Sequence, residues 1–324
     1  MTELTRRSLF AGTAAAAAAT TLAAMPSFAA APATGKQAPA FYRFKLGSYE
    51  LTAIHDGVWY RDIDAKFVGN APWAAVQKAM ADAYMEPGKL QIPFTTLLVN
   101  TGSKLILIDT ATGGQLAATA GAFTANLAAA GIDPKSVDTI LISHFHPDHI
   151  NGIKDKENKV VFPNAEINVP QPEWAFWMDD AKMNAAPDGM KPAFRNARRI
   201  FSDLKDVKRY EPGKEVAPGI TTIAAYGHTP GHTAFAIASG DQSMLCLSDT
   251  TNNPWLFVRN PDWQAAFDMD GAMAAENRKK LLERAAVDRM LVQGYHFPFP
   301  ASGHIVKTGA SSYDLAPVLW QPSL

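Results

Sequence analysis

The run S-H-F-H-P-D-H closes the apolar stretch VDTILI and sets His144, His146, Asp148 and His149 within six positions of one another. A short, wholly apolar stretch of that kind reads as a strand buried between layers. Four polar, metal-competent side chains are therefore delivered to the C-terminal edge of a buried strand. Desolvating them there is costly unless a cation or a hydrogen-bond network compensates, and a metal is the economical compensation. A lone histidine is usually a satisfied structural residue, but His-x-His-x-Asp-His with more histidine and aspartate downstream is a specific metal-site pattern. Any fold for this chain must bring distant segments to that strand end.

The flanking pattern supplies the layers. FYRFKLGSYELTAIHDGVWYRD reads as strand, Gly-Ser turn, strand, and TTLLVNTGSKLILIDT as a hairpin turning at Asn100 to Lys104, with Asp109 where its second strand ends. WAAVQKAMADAYM and LAATAGAFTANLAAAGI have helical spacing, the latter closed by Gly131. AFAIASGDQSMLCLSDT matches the hairpin in its strand, glycine turn, strand and terminal Asp-Thr. This self-similarity predicts two related halves, each a sheet backed by helices, packed so that strand ends from both halves meet at one edge. The expectation is an α/β fold, an αβ/βα sandwich of two mixed sheets with helices outside, in one domain over residues 31–324. AAENRKKLLERAAV is an amphipathic helix suited to the outside of the second sheet. The aromatic and methionine-rich segment 171–199 reads equally as a lid over a pocket or as a helical connection. The charge run at Lys154 to Lys159 reads as a solvated loop.

Composition narrows the function classes. The 324 residues are 47% hydrophobic and 19% charged with a formal net charge of -1, the profile of a soluble globular chain with no basic field for nucleic acid or an anionic membrane. Residues 1–30 carry Arg6 and Arg7 before an alanine-rich run with Thr20, Thr21 and Pro26, ending in Ala29 and Ala30. That is a twin-arginine export signal rather than a stable membrane anchor, and it implies a periplasmic or secreted protein. The single cysteine, Cys246, lies in an apolar run without a local base and reads as a small buried hydrophobe.

With its ordered motifs, the chain resembles the metallo-β-lactamase superfamily: His-x-His-x-Asp-His, then His228 in GHTPGHT, Asp249 in CLSDT and His296 in GYHFPFPASGHI. YRFKLGSYELTAIHDG, LVNTGSKLILIDT, FPNAEINVPQPEWAFW and FPFPASGHI are most similar to the methyl parathion hydrolase group, which is allied to lactonases. The resemblance implies the metallo-β-lactamase fold from about Phe41 onward, a homodimer, and a binuclear site. In that site His144, His146 and His228 hold one metal, Asp148, His149 and His296 the other, and Asp249 bridges. Imidazole and carboxylate without thiolate suit zinc, with manganese, iron or cobalt as alternatives. The resemblance also implies that Asp109 orients a ligand loop and that Trp177 and Phe194 line the substrate pocket, with Leu116 where the group carries an aromatic. Here Asp109 is followed by Thr-Ala rather than the common Thr-Gly. His232 and His304 read as groups that support a metal ligand from behind or stabilise a turn, and His55 as a packed or pocket-edge residue.

Two divalent ions about 3.5 to 4 Å apart lower the pKa of a bridging water toward neutrality and polarise the substrate's oxygen, so no Ser or Cys nucleophile is required. Asp148 can also accept or return a proton during turnover. The expected reaction on a small-molecule substrate is hydrolysis of a lactone or carboxylic ester, such as an acyl-homoserine or aryl lactone. The alternative is hydrolysis of an organophosphate triester. A β-lactamase, a glutathione thioesterase, an iron-dependent redox enzyme and a non-catalytic metal binder hold smaller shares. Mass spectrometry of the exported protein is expected to find an N-terminus near Ala31, and an exported form still beginning at Met1 would refute the leader.

Overall fold

The antiparallel pairing of FYRFKL with YELTAI begins the first sheet of the structure, a computed structural model that describes residues 33–324. The expected leader, with Arg6, Arg7 and its cleavage site, lies outside the described residues. Pro39–Leu324 forms one compact unit; in the other unit, Met1–Ala38, the described residues 33–38 carry no helix or strand. Among the described residues no helix is long and apolar enough to cross a membrane.

The first sheet contains β1 (Phe41–Leu46), β2 (Tyr49–Asp62), β3 (Lys89–Asn100), β4 (Leu105–Ile108), β5 (Thr139–Leu141), β6 (Glu166–Pro170) and β7 (Lys208–Tyr210), in that order across the sheet. The second contains β8 (Glu215–Ala217), β9 (Ile220–Ala224), β10 (Thr233–Ser239), β11 (Gln242–Ser248), β12 (Leu291–Gly294), β13 (Ser302–Lys307) and β14 (Tyr313–Pro317), again as neighbours in sequence order. The two halves repeat one plan. An antiparallel hairpin, β3–β4 or β10–β11, is followed by a strand parallel to its second arm, β5 or β12. The αβ/βα sandwich and the internal repeat read from the sequence are both present.

The sheets bury their facing side chains against each other. Leu51, Leu97, Ile106 and Ile108 of the first meet Phe235, Ile237, Met244 and Cys246 of the second, all at 2% exposure or less. At about 25 cal/mol per Å² of apolar surface, this layer is the main force closing the sandwich. Cys246 is one of its packing residues; burial pushes its thiol up to about 12, and Sγ donates to Gln293 Oε1 at 3.1 Å. It has the inert role expected of it.

Among the described residues seven α-helices complete the outer layers: α1 (Trp73–Asp82), α2 (Phe123–Ala129), α3 (Pro147–Ile150), α4 (Gln171–Trp177), α5 (Asp180–Ala185), α6 (Lys191–Phe201) and α7 (Gly271–Val287). α7 buries Leu281, Leu282 and Ala285 on the outer face of the second sheet against Leu245, Val292 and Ile305, as its amphipathic pattern requires. Two expectations change, and one open alternative is decided. The helix anticipated from Leu116 starts only at Phe123, because Asp56 caps it there. The Asp56 carbonyl accepts the N–H groups of Gly121 and Ala122, and its carboxylate accepts that of Phe123 at 2.9 Å. Segment 171–199 is a helical connection: α4 and α6 bury Trp177, Phe194 and Ala197 in the core of the first half. Lys154, read as part of a solvated loop, is 2% exposed; its ammonium donates to the Arg199 carbonyl at 2.7 Å and pairs with Asp203.

The loop after β4 is clamped to the chain that follows the histidine run. Gly152 N–H donates to the Ala111 carbonyl at 3.1 Å, and a Cβ on Gly152 would lie 1.7 Å from the Thr110 carbonyl oxygen. Ala111, in the place of the common glycine, holds a left-handed φ of 64°. Gly152→Ala must push these two loops apart and is expected to lower unfolding stability by about 2–3 kcal/mol, read by chemical denaturation. Unchanged stability would refute the clamp.

Candidate metal centre and its cavity

Strand ends of both halves deliver the ligands. β5 runs into His144; His146 precedes α3, whose single turn carries Asp148 and His149; His228 sits in the β9–β10 loop; Asp249 and His296 follow β11 and β12. Asp249 and His296 thus occupy in the second half the strand ends that Asp109 and His144 occupy in the first. The seven candidate ligand side chains form two groups that could each hold a metal ion, His144, His146, His228 and Asp249 in one and Asp148, His149 and His296 in the other. Within each group the ligand atoms lie within 4.8 Å of one another.

Asp249 reaches both groups. Its Oδ2 is 3.2 Å from His228 Nε2 and 2.9 Å from His296 Nε2, and its Oδ1 is 3.1 Å from His149 Nε2. Asp148 Oδ2 lies 3.3 Å from His149 Nε2.

Four of the five imidazoles are aimed by their other nitrogen. His149 Nδ1 donates to Asp109 Oδ2 at 2.8 Å, and His228 Nδ1 to Asp268 Oδ1 at 2.9 Å. His296 Nδ1 donates to the Pro93 carbonyl at 2.9 Å. Ser143 gives its hydroxyl proton to Asp109 Oδ2, so its oxygen accepts from His144 Nδ1 at 3.0 Å. Nε2 of these four rings is thereby turned into the cluster. His146 presents Nδ1, 2.9 Å from His228 Nε2.

The donors fit divalent cations. Among the described residues His144 Nε2, His149 Nε2 and Asp249 Oδ1 are buried without a hydrogen-bond partner. Each such orphan costs about 1–3 kcal/mol, and three converging in one place call for a cation. Burial, together with neighbouring His149 and His146, drives His144 well below its ordinary value. Burial and His228 lower His146 to about 3. At His228 burial works downward, but the Asp249 and Asp268 carboxylates overcome it and raise the ring to about 9. Burial opposes charge on Asp249, yet His296, His149 and His228 pull it well below the usual carboxylate range. The cluster thus holds two anionic carboxylates beside imidazoles that desolvation keeps from all being protonated together, and it is completed by positive charge.

Asp109 and His232 stand where the sequence placed them, behind the ligands. Asp109 also accepts the Ser143 N–H at 2.8 Å, and His232 Nε2 accepts the Asp249 N–H at 3.0 Å while its Nδ1 donates to the Ala225 carbonyl at 2.9 Å. His304 does not join them: it is exposed on β13, bonded to the Met290 carbonyl, because strand alternation turns it to the solvent side. His55 is half-buried beside Thr95 and borders a second cavity with Phe299.

The metal cluster floors a cavity of about 210 Å³ walled by Trp59, Ile92, Phe94, Leu116, Pro147 and Phe267. Leu116 lines it as expected. Trp177 and Phe194 do not. Their rings pack 4.8 Å apart inside the helical core, and Trp177 stands behind His146 with its indole N–H given to Glu173 at 2.8 Å. Burying two large aromatics against the α4–α6 layer outweighs presenting them to water.

Sequence reasoning missed four supporting residues. Fully buried Glu173 accepts Phe145 N–H at 2.9 Å and Gly231 N–H at 2.6 Å, tying together the loops that carry His144–His149 and His228. Arg278, also buried, holds Asp268 at 3.2 Å. Tyr295 lies against His149, ring centres 3.9 Å apart, and donates to the Asp148 carbonyl at 2.6 Å. Tyr295 adjoins a ligand in sequence; Glu173, Asp268 and Arg278 carry no local signal.

The chain belongs to the metallo-beta-lactamase superfamily, whose family model matches residues 92–295. Among solved structures it is similar to the hydrolase AbOPH of the beta lactamase superfamily, with 28% identity and a TM-score of 0.83 over 88% of this chain and 100% of that one. It is also similar to AidC, a dizinc quorum-quenching lactonase solved with the product N-hexanoyl-L-homoserine, with 29% identity and a TM-score of 0.80 over 87% of this chain and 98% of that one. A probable metal-dependent hydrolase from Staphylococcus aureus shares the fold at 22% identity, TM-score 0.65, over 85% of this chain and 100% of that one.

Asp268→Asn removes the carboxylate that aims His228 and is expected to weaken metal binding 10–100-fold, measured by competition with a chromophoric chelator. Wild-type affinity in this variant would mean that Asp268 serves only Arg278.

Proposed function

We propose that this metal-dependent hydrolase binds two divalent ions, zinc in the first place, and opens lactones or cleaves carboxylic esters. One observation carries the reading: a two-group ligand cluster joined through Asp249 forms the floor of an open cavity whose walls are largely apolar. The AidC similarity over nearly the full length of both chains supports the lactone side. When bound, the ions supply Lewis acidity, making water nucleophilic near neutral pH and polarising the oxygen of the scissile bond.

The chain's own groups supply the rest. Trp59, Phe94 and Leu116 take the apolar part of the substrate and displace water from around the reacting bond. Asp148 lines the same cavity, so its carboxylate is placed to take the proton released in attack and return it to the leaving oxygen. Asp109, Asp268 and His232 keep the ligand rings and the Asp249 backbone from moving during that exchange. The only cysteine is buried in the inter-sheet core, far from neutral-pH ionisation, and takes no part.

The methyl parathion hydrolase likeness in sequence favours a second reading, hydrolysis of an uncharged aryl phosphotriester in the same aromatic cavity. Both readings belong to a protein that we place outside the cytoplasm, after twin-arginine export. The deciding experiment measures kcat/KM for an acyl-homoserine lactone, an aryl lactone and methyl parathion alongside metal content. About two metals per chain with a lactone preference is the expected result, and His146→Ala should abolish turnover. A preference for methyl parathion would move the protein to the phosphotriester reading, and full activity in His146→Ala would sink the metal mechanism.

A further inference from the structure

Period-two alternation puts Trp59 and Arg61 on one face of β2, toward the cavity, and β3 adds Ile92, paired with Trp59, and Phe94. Three of these four are apolar or aromatic; Arg61 is the exception. Its guanidinium carbon lies 5.0 Å from the centre of the Trp59 ring and 4.8 Å from that of Phe267, so the cation is held between two aromatic groups at the cavity wall. Half-buried there, it forms no ion pair and donates no hydrogen bond to any described residue. Asp62 and Asp64 border a neighbouring surface depression that Arg61 also borders, but neither pairs with it.

Aromatic contacts hold a guanidinium by its faces and leave its N–H edge for a ligand. The other charged groups on the cavity lining are ligand side chains of the metal cluster, which divalent cations convert from an anionic to a cationic floor. Wall and floor then favour the same sign. A neutral substrate filling this cavity would cover Arg61 and leave its donors unpaired, a cost that an anionic or strongly accepting group removes.

We propose that Arg61 is a specificity-determining residue that binds a carboxylate of the substrate remote from the scissile bond, so that the substrates are acidic lactones or esters with an apolar spacer. This rests on the reading of the site as a lactone and ester hydrolase. It departs from the three probes above, because acyl-homoserine lactones, simple aryl lactones and methyl parathion carry no such charge.

The test compares 4-nitrophenyl hydrogen suberate with its methyl ester on the metal-loaded, full-length mature protein. A charge-assisted hydrogen bond corresponds to a factor of about ten or more, so the acid is expected to exceed the methyl ester by that factor in kcat/KM, chiefly through KM, and the preference should shrink as salt is added. Arg61→Gln should remove the preference by losing far more activity on the acid than on the methyl ester, and Arg61→Lys should restore part of it. Equal kcat/KM for the two esters in the wild type, or an equal loss on both in Arg61→Gln, would overturn the proposal and leave Arg61 as a wall residue. If neither ester is turned over, the hydrolase reading fails separately, and Arg61 is judged by calorimetric binding of octane-1-sulfonate. Binding weakened about tenfold in Arg61→Gln supports it, and equal binding overturns it.

Discussion

Seven imidazole and carboxylate side chains able to hold metal, drawn out of water into one place, constrain everything else in this molecule. Their lone pairs repel, their desolvation is costly, and three of the ligand atoms have no hydrogen-bond partner among the described residues. A fixed polar ring around the cluster offsets part of that cost, and a cation held at its centre would offset the rest. The ring is extensive: Asp109, Ser143, Asp268, Arg278, His232 and Glu173 each hold a ligand, or the loop of a ligand, through hydrogen bonds at 2.6–3.2 Å. Glu173 matters most to the architecture, because it fastens the ligand loop of the first half to that of the second.

The sandwich meets this constraint with a repeated unit. In each half a hairpin and a parallel third strand end at the same edge, and the apolar layer between the sheets sets the distance between those ends. Facing residues such as Leu97, Ile108, Phe235 and Cys246 are therefore as necessary to the metal site as the ligands. A core packed to crystal-like density transmits small volume changes, and a ligand cluster tolerates few of them.

The substrate selection proposed above falls to a different part of the fold. The metal floor is common to many chemistries, while the cavity walls come from the long β2–β3 ribbon, the segment after β4 and the loop that carries Phe267. Arg61, between Trp59 and Phe267, adds a fixed charge to an otherwise apolar wall. Function in this fold thus divides between a floor supplied by both halves and walls peculiar to the chain.

The sequence by itself determined the sandwich, the internal repeat and the seven side chains that the fold gathers into two candidate metal-holding groups: apolar strand periodicity and the crowded His-x-His-x-Asp-His run are local signals, and His228, Asp249 and His296 came from the ordered motifs of the family resemblance. It also placed Asp109 and His232 behind the ligands. Tertiary structure alone decided which aromatics face the substrate: Trp177 and Phe194 are drawn into the α4–α6 core, whereas Trp59, Phe94 and Phe267, unremarked in the sequence, form the wall. Periodicity says that a residue is on a buried face, not whether that face meets protein or cavity. His304 moved to the surface, and Lys154 moved inside, for the same reason: burial of an isolated polar residue depends on the partner that another segment brings, Asp203 and the Arg199 carbonyl in the case of Lys154. Glu173, Asp268 and Arg278 lie far along the chain from the ligands they support, and only the packing of distant loops gives them their roles.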